Sequence, residues 1–339
     1  MAVEYEHIFC SWIDPIYIWA KKYDVFQIIP IIPENYNESR RTVAECKNSL
    51  TKIIDLELNL LQISHLPDEF EHFTGLKSLS FSGYYESRYF TFEDTVRVFN
   101  ILYKLINIEK LSILLADIKN LPHDIDKLVN LQRLSLSYLK LETLPHNIDK
   151  LVNLQHLSLS DLKLKTLPQE IQNLSNLKSL SIEQYLFNQE IELIKNISTI
   201  TSVTISGDEL LPITIENLSQ IKKLTELDLF IESFHPMVDF TLIKQIVSLS
   251  SYGLDSNFET LPKSISSLQK LEMLTLSSVS FKDVPKEVFS LINLWYLDID
   301  GWGVKMPKDL NKLTNLTHLR ICNLEEDENK TSQLRNFAI

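Results

Sequence analysis

LPHDIDKLVNLQRLSLSYLKLET, residues 121–143, is followed at once by LPHNIDKLVNLQHLSLSDLKLKT, residues 144–166. Near-identity at a step of 23 residues marks a repeat array, in which each copy of one small unit buries its apolar side chains against the next. Aligned on the Leu-Pro pair, further copies start at Leu66, Leu167, Leu211, Leu261, Val284 and Met306, and eight of the twelve prolines fall at the position after these starts. Degenerate copies fill the gaps: Val98, Leu102, Leu105 and Ile108 lead into Leu111 and Ile113, Ile194, Ile197 and Ile200 lead into Val203 and Ile205, and a weak copy spans Ile243 to Leu249. Eleven or twelve coils are predicted, from Ile53–Leu58 to Leu316–Ile321.

Within a coil, Leu131, Leu134 and Leu136 end in strict alternation, which predicts a short strand with one face in a core. Leu144-Pro145, Ile148, Leu151 and Leu154 are spaced by three to four, which predicts a helical or 3₁₀ turn. Proline stands at its start, where a missing N–H costs nothing. One strand per coil, always running the same way, stacks into a parallel sheet lining the inside of an arc, with the turns outside.

These residues resemble the leucine-rich repeat family, in the 23-residue class with the form LPxxIxxLxNLxxLxLxxxxLxx, over roughly residues 50–324. The resemblance implies an α/β fold, a right-handed solenoid with a parallel inner sheet and short helical or 3₁₀ turns outside. It also implies protein recognition on the concave sheet. One departure stands out: the family's ninth position, normally Asn or Cys, reads Leu61, Ala116, Leu139, Leu162, Tyr185, Asp208, Glu232, Ser256, Val279, Trp302 and Leu324. Without that asparagine ladder, an irregular arc is expected, its turn groups paired by backbone or water.

The predicted organisation has a helical N-terminal cap at 1–49, the solenoid at 50–324 and an acidic tail at 325–339 opened by Glu325-Glu326-Asp327-Glu328. Phe9, Trp12, Ile13, Ile16, Trp19 and Ala20 recur at helical spacing and read as the cap's buried stripe. Two interruptions break the period. SGYYESRYFTF, near residues 82–92, carries Tyr84, Tyr85, Tyr89 and Phe90 and is either an aromatic recognition loop or extra core. Residues 231–258, with Phe234, His235, Pro236, Met237 and Phe240, form an irregular stretch that would bend the array.

Composition narrows the function classes. Forty-five acidic against 33 basic residues leave a net charge of −12, which favours a basic protein partner and disfavours nucleic acid, whose phosphates need a basic stripe. Six glycines leave little for phosphate-cradling loops. Three cysteines, Cys10, Cys46 and Cys322, offer no disulfide framework or paired zinc ligands. A reducing, cytoplasmic setting is expected, or delivery to another cell without a classical leader. Glu4 and Glu6 replace the basic start of a leader, and Asp14 and Pro15 interrupt the apolar run from Ile8 to Ala20, so no signal peptide is predicted; no stretch reaches ~18 uninterrupted apolar residues, so membrane insertion is not predicted either. His123 and His146 occupy equivalent positions but would need a third metal ligand. No serine elbow and no Cys–His pair suggests catalysis, so no cofactor and no enzymatic activity are expected.

Residues between the core leucines point out of the inner sheet. The central column reads Glu57, Ser80, Ser112, Ser135, Ser158, Ser181, Thr204, Asp228, Ser248, Thr275, Asp298 and Arg320, and a second column reads Ser82, Ser137, Ser160, Ser206, Ser250 and Ser277. Small hydroxyls serve equally as strand-surface filler. Residues richer in binding energy are Trp295, Tyr296, Asp298, Asp300 and Arg320 towards the C-terminal end, with Trp302 beside them. The Tyr84–Phe90 loop comes next, then Arg133, Tyr138, His156 and Asp161 on adjacent coils. Either of the first two groups could instead be a capping surface. The function expected is a non-enzymatic interaction module binding a protein on its concave face. The alternative is a bacterial effector, or a toxin-system or immunity component, acting through the bound partner.

Overall fold

A computed structural model describes residues 13–25, 43–59, 66–82, 98–114, 118–121, 123–253, 260–324 and 337–338. The chain divides into two compact units, the first comprising 1–157 and 161–170, the second 158–160 and 171–339.

In the first unit, strands β1 (Asp55–Asn59), β2 (Ser78–Ser82), β3 (Lys110–Leu114) and β4 (Arg133–Ser137) pair in parallel and in chain order. Their register matches leucine to leucine: Leu79 opposes Leu56 and Leu111, and Leu111 opposes Leu134. Strand β5 (His156–Ser160) stands at the division between the units. Side chains alternate between buried and open along each strand. Each fully buried leucine stabilises the stack by about 1.5–3 kcal/mol. The twin repeats thus form strands where the alternation of Leu134 and Leu136, and of Leu157 and Leu159, predicts them.

The outer turns follow from proline. Pro67 and Pro145 stand at the start of 3₁₀ turns at Asp68–His72 and His146–Lys150, and each proline carbonyl accepts the first turn bond, from Phe70 N at 3.0 Å and Ile148 N at 3.1 Å. Proline gives up nothing here, since its absent N–H has no partner in a first turn. Before the first strand, the helix Ile13–Lys22 buries Ile13, Ile16, Trp19 and Ala20. Trp19 meets Phe70 edge-on at 5.8 Å, and Phe70 stacks on Phe73 at 4.7 Å. Helix Val43–Leu50 supplies buried Cys46 and Leu50.

The second unit continues the pattern with β6 (Ser179–Glu183), β7 (Ser202–Leu210), β8 (Glu226–Phe234), β9 (Ser248–Tyr252), β10 (Met273–Val279), β11 (Tyr296–Val304) and β12 (His318–Leu324), all parallel and in chain order. The described residues thus contain twelve repeat strands, one per coil, with short outer helices. The degenerate coil leading to β7 and the Leu211 coil leading to β8 use α-helix in place of 3₁₀ turns, at Gln184–Gln189, Ile191–Ile194 and Pro212–Ser219, whereas the weak copy before β9 keeps a 3₁₀ turn at Phe240–Ile243. In the irregular stretch β8 runs on to Phe234, which meets Phe240 edge-on at 5.9 Å; residues 254–259 lie outside the described set. Phe337–Ala338 forms β13, antiparallel to His318–Leu319, and covers part of the free edge of β12.

Two expectations need correction. First, a partial asparagine ladder exists, on a different residue: the Asn of the Asn-Leu or Asn-Ile pair just before β3, β4, β5, β11 and β12. Asn107, Asn130, Asn153, Asn293 and Asn315 donate their Nδ2 to the carbonyls of Thr74, Ile106, Val129, Gln269 and Ile292, one coil earlier, at 2.6–3.0 Å. The acceptor is in each case the residue before the Asn position of the preceding coil. In the second unit, buried Gln184 adds an internal bridge, donating to the Glu209 carbonyl (2.9 Å) and accepting from Leu211 N (3.1 Å) and Thr214 Oγ1 (2.9 Å). Turn groups are therefore paired by side-chain amides, at exposed positions for the asparagines and at a buried one for Gln184.

Second, the register places Ser250, not Ser248, in the central column, opposite Asp228 and Thr275. Tyr252, not Ser250, consequently occupies the next column. The same shift puts Ser251 at a core position, where it is buried and its hydroxyl has no hydrogen-bond partner among the described residues.

Candidate binding surface

The open face of the sheet is built from three rows of side chains that alternate with the leucines. In the second unit the middle row runs Ser181, Thr204, Asp228, Ser250, Thr275, Asp298, Arg320. Serines here satisfy one another in part: Ser160 Oγ lies 3.2 Å from Ser181 Oγ and 3.4 Å from Ser158 Oγ. That pairing gives these hydroxyls a structural use as well as a place on a surface.

The serine pattern breaks at β11 and β12. Asp298 is 6% exposed, an unusual burial for a carboxylate unless it is paired. Its Oδ2 accepts from Arg320 Nη1 at 3.0 Å and from the Tyr296 hydroxyl at 3.4 Å. Its Oδ1 is buried without a partner among the described residues. The cation comes from the register itself, which sets Arg320 opposite Asp298. Burial, with the Asp298 charge next, raises the Tyr296 hydroxyl above the ordinary tyrosine value and keeps it a donor.

Trp295 stands one residue before β11. Its ring meets Tyr296 edge-on at 5.8 Å and His318 at 5.4 Å, and it lines a surface groove of about 470 Å³ with Lys270, Glu272, Asn293 and Asn315. These residues belong to the turns that lead into the strands, so Trp295 bounds the sheet face at its entry edge. Asp300 follows Asp298 on the same face, opposite Ser277 and Cys322.

The remaining candidates divide by position. Arg133 and His156 open β4 and β5. Tyr138 and Asp161 lie one residue beyond those strands with φ of 54° and 52°, the left-handed turn that Ser278 repeats in its own coil at 59°. Tyr84, Tyr85, Tyr89 and Phe90 lie outside the described residues, as does the side chain of Trp302. His146 Nδ1 lies 3.0 Å from Glu170 Oε2, and this contact holds the Glu170 carboxyl below its ordinary range. Among the described residues no three His, Cys, Asp or Glu side chains converge as a metal site, and no helix is long and apolar enough to cross a membrane.

Three residues of this face were not singled out from the sequence: Asp228, Phe230 and Tyr252. Phe230 and Tyr252 are register partners and stack at 4.7 Å with 19° between rings. Asp228 is half-buried; burial raises its carboxyl above the ordinary aspartate value, against a hydrogen bond from Ser250 that lowers it. The signal was present as aromatic residues in a column that holds serine in several other coils, but aligning β9 two residues early hid Tyr252.

A family model described as a leucine-rich repeat region matches residues 119–252 and 238–338, well over half of the chain. The chain belongs to the leucine-rich repeat family. Comparison with curated proteins finds no match. Among solved structures, this leucine-rich repeat chain is similar to a Leptospira interrogans LRR protein, at 21% identity over 81% of this chain and 86% of that one, with a TM-score of 0.45. It is also similar to an internalin from Listeria monocytogenes, at 15% identity over 88% and 95%, TM-score 0.42. A third similar structure is a TLR13–ssRNA13 complex, at 19% identity over 80% and 47%, TM-score 0.46.

Proposed function

We propose that the chain is a non-enzymatic protein-binding module whose open sheet face in the second unit takes up a basic or amphipathic segment of a protein partner. The observation that carries this reading is the break in the serine rows at β11–β12, where buried Asp298, Tyr296 and Arg320 join Trp295 at the edge. Aromatic rings and partly desolvated charges are the residue types that concentrate binding energy, and serines are not. Acidic net charge disfavours a nucleic-acid backbone, and the face offers one arginine against Asp298 and Asp300 at this end.

A pull-down with the full chain followed by mass spectrometry identifies the partner. Replacing Trp295, Tyr296 and Asp298 by alanine then lowers affinity at least about tenfold, as expected when interface anchors are truncated. The circular dichroism spectrum stays that of the parent. Unchanged affinity in this variant would sink the proposal.

A further inference from the structure

We infer that Asp228, together with the stacked rings of Phe230 and Tyr252, is a subsite for an arginine side chain of the partner. The inference rests on the reading of this face as a protein-binding surface.

The second unit contains its own precedent. Asp298 and Tyr296 share one strand face two residues apart, and the guanidinium of Arg320, delivered by register from the next strand, sits on that carboxylate at 3.0 Å. Asp228 stands in the same row, three strands earlier, with Phe230 two residues along the same face. Its register partners are Thr204 on one side and Ser250 on the other. Neither is a cation. Among the described residues no ion pair forms at Asp228, although it is half-buried. Asp228 thus shares with Asp298 its row and, in part, its burial; the aromatic neighbour lies on the other side, two residues after Asp228 where Tyr296 lies two before Asp298, and the cation is missing.

The rings specify which cation fits. Phe230 is 38% exposed and stacked on Tyr252, so the pair offers an aromatic platform beside a carboxylate. A guanidinium is planar, weakly hydrated and stacks on aromatic faces while its N–H groups reach an acidic neighbour; a lysine ammonium does neither as well. The open face of β7–β9 adds Glu226 to Asp228 and carries no Lys, Arg or His. A positively charged side chain from outside meets attraction there and no competitor.

Two independent readouts test this. The full chain is titrated with N-acetyl-arginine methylamide and, separately, with its neutral citrulline counterpart, following the ring resonances of Phe230 and Tyr252 by NMR. The arginine compound shifts them in a saturable way and citrulline does so at least tenfold more weakly. Asp228→Asn, which keeps an acceptor for Ser250, and Phe230→Ser, the residue that the neighbouring strand carries at this column as Ser206, both abolish the arginine response while thermal unfolding stays cooperative. Equal responses to arginine and citrulline, or an arginine response that survives Asp228→Asn, overturn the subsite. The second readout is affinity for the protein captured in the pull-down. A partner held at parental strength by Asp228→Asn and Phe230→Ser overturns the subsite and leaves the binding-module reading standing, whereas failure to capture any protein overturns that reading itself.

Discussion

Asp228 is a residue that the fold tolerates at a cost. Burial raises its carboxyl above the ordinary aspartate value of about 3.9, so the folded state prefers the protonated form. Stability contributed by that proton is present below the unfolded value and is lost as pH rises through the folded one; above it the ionised group is a constant penalty. Asp228→Asn therefore raises stability at neutral pH, by less than about 1 kcal/mol because solvent screens a partly exposed carboxyl. Calorimetry from pH 8 downwards should find this gain shrinking towards the ordinary aspartate value. A gain that is absent, or constant with pH, contradicts the assignment. Asp298 differs in having a cation opposite it, Arg320 at 3.0 Å. Arg320→Ala strands a buried carboxylate and costs about 1–3 kcal/mol, less than a fully buried pair because the guanidinium is half-exposed. Arg320→Ala with Asp298→Asn recovers most of that loss in denaturant titrations, and a purely additive cycle would mean the pair is not coupled.

At the scale of the element, much was legible because one position does one job in every coil. Leu134 and Leu136 alternate, so they form a strand; Pro145 precedes a 3₁₀ turn because its carbonyl can accept while its nitrogen has nothing to give. What stayed hidden was the pairing of turn groups, because Asn130 and Asn153 look like part of an Asn-Leu spacing until coordinates show their amides reaching back one coil. The exit from the strand was equally hidden. Two coils leave it through a left-handed residue, Tyr138 or Asp161, while Ser278 takes the same conformation at a register shift near the end of β10, where Val279 opposes Gly301 of β11. A Cβ on Gly301 would stand 2.3 Å from the Val279 carbonyl oxygen and 2.3 Å from its Cγ2. Gly301→Ala should destabilise the second unit by about 2 kcal/mol or more, because the Val279 carbonyl blocks it together with that residue's stiff side chain. Gly303→Ala, with φ of +72° but no atom within 4 Å, should cost only about 1 kcal/mol. Equal costs in chemical denaturation would show that the close approach is relieved elsewhere.

Over the whole molecule, the family was readable from the twin repeats, while the candidate surface was readable only in part. Asp298 and Arg320 stood out as breaks in a serine column, with Tyr296 as an aromatic residue beside them; the ion pair required the register. Asp228 was visible in its column, yet its meaning depended on Phe230 and Tyr252 being neighbours, and that depended on a coil whose core position is serine. A face of this charge recruiting a basic partner implies a salt dependence. Raising ionic strength from about 0.05 to 0.5 M should slow association roughly tenfold with a smaller change in dissociation, and a salt-independent rate would assign recognition to the aromatic residues alone. The amide stair has a further consequence, in the currency of genes. Each rung spans 23 or 24 residues between donor and acceptor in the regular coils, so an in-frame duplication or loss of one whole repeat regenerates a complete rung at the new junction. A recombination event out of phase strands an amide and a carbonyl together. Selection against such misaligned products would let the array change length by whole coils, and the twin segments at Leu121 and Leu144 are what a recent event of that kind leaves behind.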